Sequence, residues 1–389
     1  WKEITNGIKA MHFARAIRAD KKRAGLLYAG TEYGMYISYN DGVNWRPFQL
    51  NLPIVSITDL TIKNNDLIIA TQGRALWSID DLTPVQQFDV NSLNKKFYVL
   101  PVNDAYRRDG SVNASAKNAG TNPLNGSVIN YYIKDIIDST KASITILDRN
   151  KKEIKTFATD AKEKNDKIEI SKGMNQFVWN MNYPEAEKIE GMILWNGLIG
   201  GPKAAPGQYF AKVKVGTDSS EQAFTILANP TYKVTQQEYE EQFNTLITIR
   251  DKFNEIQKAI KNIRDMRTQI NGFADRQGKD LPKVIKEKGD TINKQLTGIE
   301  EILYQTKAKS NQDVLNYPIR LNDKISGLYD YANSGNNAPT KQVKQAYTDL
   351  SVMADIQLKK LKQLMEVDVV ELNKLIREKA VPVIGPKKE

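Results

Sequence analysis

Three kinds of hydrophobic pattern follow one another along the chain. From Trp1 to about Leu100 the apolar runs are short and broken by turn residues. "GLLYAGTEYGMYISYNDGVNW" predicts strands at Leu26–Gly30 and Gly34–Tyr39 and then a tight turn at Asp41-Gly42. "DLTIKNNDLIIATQGRALWSID" predicts a second pair around Asn64-Asn65 and a strand ending at Ile79. Short strands at this spacing indicate antiparallel sheet, and four of similar length suit one propeller blade.

The middle pattern begins with residues 104–126, rich in Asn, Gly, Ser and Ala, which read as a long connecting loop. Strand signals follow at Val128–Ile133, Ala142–Leu147, Ile154–Phe157, Ile168–Ile170, Asn175–Asn180, Gly207–Val215 and Gln222–Leu227, with "DRNKKE" as a hairpin turn. Their number and length fit an immunoglobulin-like β-sandwich, whose core then needs a buried Trp, either Trp179 or Trp195.

From about Thr231 the period changes to helical. Thr235-Gln236-Gln237-Glu238 is a capping box, because Ser/Thr and Glu three residues apart satisfy each other's free backbone N–H. Phe243, Leu246, Ile249, Phe253, Ile256, Ile260, Ile263 and Ile270 then form one apolar stripe, predicting a long helix that ends near Gly272. Leu281–Ala308, Val314–Tyr331 and Thr340–Ala380 repeat the pattern. Stripes this wide must be buried together, so an antiparallel bundle is expected. The expected fold is therefore multidomain β + α: partial β-propeller blades over 1–100, a linker and Ig-like β-sandwich over 101–230, and a C-terminal antiparallel helical bundle over 231–389.

Composition removes several chemistries. Cys is absent, which excludes disulfides, cysteine nucleophiles and thiolate metal sites, and His12 is the sole histidine, which excludes a multi-histidine metal centre. The net charge of +10 is spread evenly and forms no concentrated basic face, so no nucleic-acid partner is expected. No apolar run approaches the ~20 residues of a membrane-spanning helix. The opening Trp1-Lys2-Glu3-Ile4, without Met or signal peptide, suggests a fragment or processed product.

The sharpest short motif is Ser38-Tyr39-Asn40-Asp41-Gly42-Val43-Asn44-Trp45. It follows the Asp-box pattern, with Asn40 in the Asp place and Asn44 in the Thr place. Ser38, Asn40, Asp41, Gly42 and Trp45 are assigned structural roles: Gly42 supplies a positive φ, the polar side chains bond the turn's backbone, and Trp45 packs beneath.

At these residues the chain resembles a family. "YAGTEYGMYISYNDGVNW" and "LPIVSITDLTIKNNDLIIATQGRALWSIDDLTPVQQF" are similar to the last blades of sortilin-type BNR/Asp-box propeller proteins of Bacteroidota, which are commonly labelled glycosyl hydrolases. "GTNPLNGSVINYYI", "ITILDRNKKEIKTF", "GMNQFVWNMNYP" and "GPKAAPGQYFAKVKV" resemble that family's Ig-like module, and "NYPIRLNDKISGLYDYANSGNNAPTKQVKQAYTDL" its terminal helical segment. The chain departs from the family at "TQGRAL", where Gln72 and Ala75 replace the usual His and Gly. The resemblance implies an extracytoplasmic location in the cell envelope. Its implied partners are an upstream propeller portion of the same protein and outer-membrane or cell-surface proteins or glycans.

No catalytic constellation is legible. Arg74 with Asp80-Asp81 is the one dense polar group of the first region, and adjacent residues on an extended segment point to opposite faces. Trp195 could stack on a sugar or a partner, and Arg264 and Arg267, one turn apart, could receive an acidic partner. Glu238, Glu240, Glu241 and Asp251 lack the Glu-x-x-His needed for a di-metal site. No cofactor or metal is expected. Two readings follow: a non-catalytic binding or assembly region of an exported propeller protein, or accessory domains of a sialidase-like hydrolase whose active site lies in upstream blades.

Overall fold

The computed structural model describes residues 2–89, 92, 94–108, 124–137, 139–197 and 199–384. Most of the loop expected at 104–126, the Trp1 start and the Pro386-Lys387-Lys388 tail lie outside them. The chain is a mixed β and α protein that divides into two compact units. One comprises Trp1–Asn180 with Gln208–Thr225, and the other Met181–Gly207 with Ile226–Glu389.

The first unit opens with a four-stranded antiparallel meander, β1 (Ala14–Ala19), β2 (Leu27–Thr31), β3 (Gly34–Ser38) and β4 (Arg46–Pro47). A three-stranded meander follows, β5 (Ile57–Lys63), β6 (Asp66–Thr71) and β7 (Leu76–Ile79), and then a single helical turn, α1 (Thr83–Gln87). Alternation along β2, β3, β5 and β6 sends Tyr28, Met35, Ile37, Ile57, Leu60, Ile62, Leu67 and Ile69 into one shared core. Asp20 ties this part together. Its Oδ1 accepts from Lys22 N and Arg23 N at 2.8 Å, and Gln86 Nε2 of α1 donates to its carboxylate at 3.0 Å. Burial opposes the charge on Asp20, but the hydrogen bonds from Gln86, the two N–H groups and Tyr28 outweigh it and hold the carboxyl below its usual range.

The rest of this unit is two further sheets. One has the order β13 (Gly173–Trp179), β10 (Ser127–Ile133), β8 (Phe97–Val99). The other has the order β12 (Glu153–Ala158), β11 (Ala142–Leu147), β14 (Gly207–Val215), β15 (Asp218–Leu227), β9 (Ala105–Tyr106). Trp179, fully buried, lies 5.7 Å from the Tyr209 ring and 6.2 Å from Phe224. The strand expected at Ile168–Ile170 does not form. Lys167 makes an isolated bridge to Ala158, Ile168 N donates to Ala158 O at 3.1 Å, and the Ile168 side chain is buried without a ladder. Ile168 alone enters the core, and Ile168-Glu169-Ile170 is too short to propagate pairing.

In the second unit the helices are α2 (Gln236–Gln277), α3 (Lys283–Leu303), α4 (Leu321–Ala332), α5 (Lys341–Gln363) and α6 (Val369–Glu378). A π turn at Leu364–Asp368 joins the last two. The stripe Leu246, Ile249, Phe253, Ile256, Ile260 and Ile263 of α2 shares one core with Ile285, Ile292 and Leu296 of α3 and with Leu321 and Ile325 of α4. The capping box at the start of α2 is formed, with Thr235 N donating to Glu238 Oε2 at 2.8 Å and Glu238 N to Thr235 Oγ1 at 3.2 Å.

The helix ends differ from the pattern's expectation. α2 runs through Gly272 and stops at Gly278, whose φ of 55° closes the helix. The helix expected over Val314–Tyr331 is a short 3-10 turn at Asn311–Leu315 followed by α4, because Pro318 lacks an N–H and steers the preceding residue away from helix. The single helix expected over Thr340–Ala380 is α5 and α6 around the π turn.

Candidate functional site

The Asp-box turn is built from its own side chains. Ser38 Oγ accepts from Gly42 N at 2.9 Å and donates to Asn40 Oδ1 at 3.1 Å, and Asn40 Oδ1 accepts from Asn44 N at 2.9 Å. Asp41 and Gly42 both have positive φ, 53° and 80°. Trp45 is buried, and its Nε1 donates to Ile4 O at 2.7 Å. Ser38 and Asn40 are thus bonded within the turn itself and Trp45 to the segment before β1, and a Cβ on Gly42 would meet Ile4 Cδ1 at 2.8 Å. Ser38→Ala is expected to lower the stability of this unit by about 1 kcal/mol, since it orphans the buried Gly42 N–H. A urea melt of the two proteins checks it.

The other polar candidates of the first unit form no site. Arg74 is exposed, and it is its backbone carbonyl that is engaged, accepting from Trp77 Nε1 at 2.9 Å. Asp80 accepts from Ser78 Oγ, while Asp81, at φ 66°, accepts from Asn65 Nδ2 at 2.6 Å and Thr83 N at 3.0 Å. The two carboxylates serve separate turns.

Arg264 and Arg267 do converge on an acid, but it is internal. Arg264 Nε reaches Glu300 Oε1 of α3 at 2.7 Å, Arg267 bonds the other carboxylate oxygen, and Arg267 Nη1 donates to Thr297 Oγ1 at 3.1 Å. The Glu300 side chain is 1% exposed while the arginines keep 35% and 27% of theirs. The two arginines thus clamp α2 to α3 through a buried carboxylate.

Of the two candidate core tryptophans, Trp179 is buried and Trp195 is not. It is 54% exposed, and its segment belongs to the helical unit, where Met181–Gly207 packs on the helices. The local sequence explains the outcome. In "GMILWNGLIG" the side chains of Leu194 and Ile199 enter the helical core, and Met192 Sδ receives Gln257 Nε2 at 3.1 Å, which leaves Trp195 facing outward.

The loop under Trp195 is held by α4. Asp323 Oδ2 accepts from Trp195 N at 2.7 Å, and Oδ1 accepts from Asn196 N at 2.9 Å and Asn196 Nδ2 at 3.1 Å. Ser326 Oγ donates to Gly197 O at 2.7 Å, and Ile193 N donates to the Tyr304 hydroxyl at 3.1 Å. Asn196 lies so close to α4 that a Cβ on Gly327 would meet its Nδ2 at 2.8 Å. The Asp323 carboxylate is buried, so these charge-assisted bonds act in a low dielectric and fix the backbone that presents the indole. A rigid aromatic ring loses little entropy on contact, which is why such residues anchor interfaces.

Asp323 was not visible as part of a site in the sequence. An acid in the first turn of a helix reads as a partner of the helix dipole, and the loop it binds lies far away in the chain. Among the described residues no group of three or more His, Asp or Glu is gathered to hold a metal, and no helix is long and apolar enough to cross a membrane.

No protein-family model matches the chain, and no curated protein matches it. A solved structure titled pT26-6p aligns over 86% of this chain and 68% of its own at 11% identity, with a TM-score of 0.13. A superposition that weak carries no argument about fold or function.

Proposed function

We propose that this chain is a non-catalytic binding and assembly region of an exported cell-envelope protein, making protein–protein or glycan contacts. In this reading the two meanders are end blades of a β-propeller whose other blades lie upstream. The sheets around Trp179 form an Ig-like module, and the helices form a C-terminal bundle. The observation that carries it is Trp195, an exposed indole on a loop whose Trp195 and Asn196 backbone N–H groups are held by Asp323 of α4. The polar candidates elsewhere support it by being spent internally: the Asp-box on its own turn, and Arg264 and Arg267 on Glu300. Met11, Phe13 and Ile17, exposed on and before β1, suit cover by the upstream portion.

Trp195→Ala is expected to weaken retention of the chain on a purified envelope preparation at least tenfold while leaving its melting temperature unchanged, the behaviour of an interface anchor. The same chain is expected to turn over none of a panel of sialosides and other glycosides. Undiminished retention by the variant, or hydrolysis by the chain, would sink the reading.

A further inference from the structure

A cavity of about 700 Å³ opens between α2, α3 and α6, away from the Trp195 loop. Ligand pockets commonly fall between about 300 and 1,000 Å³. Its apolar wall comes from Ile270 and Phe273 of α2, Ile285 of α3, and Leu372 and Ile376 of α6, beside a polar part that includes Asn271, Asn293 and Asn373. Two glycines in helix interiors line it. A Cβ on Gly272 would meet nothing within 4 Å, and one on Gly289 would press on Ile270 Cγ2 at 3.2 Å. Glycine is the poorest helix former short of proline, so local propensity does not explain either residue.

The polar groups on the wall are incomplete. Arg276 Nε is buried and has no hydrogen-bond partner, and neither has Asn293 Oδ1, although Asn293 Nδ2 donates to Asn271 at 2.7 Å. Lys286 and Arg377 add positive charge to the lining, against Asp290 as its one acid among the described residues. The Arg276 side chain also lines the cavity, where its positive charge favours an entering anion.

We propose that this cavity binds a single-chain amphiphile with an anionic head, a long-chain carboxylate, its tail along Ile270, Phe273, Ile285, Leu372 and Ile376 and its head on Arg276. The apolar lining rejects a wholly polar ligand, and the cationic excess selects an acid over a neutral or cationic amphiphile.

Isothermal titration of the whole chain with dodecanoate below its micelle concentration tests this. Saturable one-to-one binding is expected, weakened about tenfold by Arg276→Gln, reduced by Lys286→Gln on the exposed rim, and abolished by Gly272→Phe, with circular dichroism confirming that each variant is folded. Dodecyl maltoside, which is neutral, and dodecyltrimethylammonium are expected to bind at least tenfold more weakly. Phosphatidylglycerol vesicles, which offer an anionic head on a bilayer surface, are expected not to bind. The proposal is overturned if dodecanoate gives no saturable binding, if the arginine and lysine variants bind it as the wild type does, if the neutral amphiphile matches it, or if the vesicles bind in its place.

Discussion

Trp179→Ala is expected to remove about 3–5 kcal/mol from the stability of the unit that contains it, the range for truncating a large buried aromatic. The indole is fully buried and sits against Tyr209 and Phe224. The loss combines the transfer of the ring to water, the cavity left behind and two aromatic contacts. Unfolding in urea, followed by near-ultraviolet circular dichroism for the sheets and at 222 nm for the helices, separates the two units. The variant should shift the first transition and leave the second in place. A shift worth less than about 1 kcal/mol would show that Trp179 is not the centre of this core.

The second large effect lies in the helical unit. Replacing both Arg264 and Arg267 with alanine is expected to cost about 3 kcal/mol, because Glu300 would remain buried as an uncompensated charge. Both arginines are partly open to solvent, which places the cost at the lower end of the range for a broken buried pair. Adding Glu300→Met to the double variant should restore most of the loss, since a well-packed apolar residue replaces the stranded carboxylate. Urea midpoints read from the 222 nm signal test both steps. A triple variant no more stable than the double would mean that the arginine stems, and not the charge, hold α2 against α3.

Local signals were legible where neighbours in sequence are neighbours in space. Thr235 and Glu238 lie one turn apart, so their cap was readable. The Asp41-Gly42 turn and the alternation of β2 and β3 depend on nothing farther than the next hairpin. Gly272 misled because a glycine in a helical pattern reads as a stop, whereas the stop is Gly278, where a positive φ is needed. The partner of Arg264 and Arg267 was out of reach because Glu300 is on another helix. Trp195 was ambiguous for the same reason. An apolar run fixes how many side chains must be buried, and only the packing of Leu194 and Ile199 against the helices decides which one is left outside.

The loop that carries Trp195 has a bearing on how the molecule can be divided. Met181–Gly207 is inserted between β13 and β14 in the sequence, yet it completes the core of the helices. Excising the helices at residue 231 would strip Leu194 and Ile199 from that core and leave Asp323 without the three N–H donors it holds. The backbone crosses from one unit to the other three times, so neither is a continuous stretch of polypeptide. Recombination or proteolysis at a single peptide bond therefore cannot release either half intact.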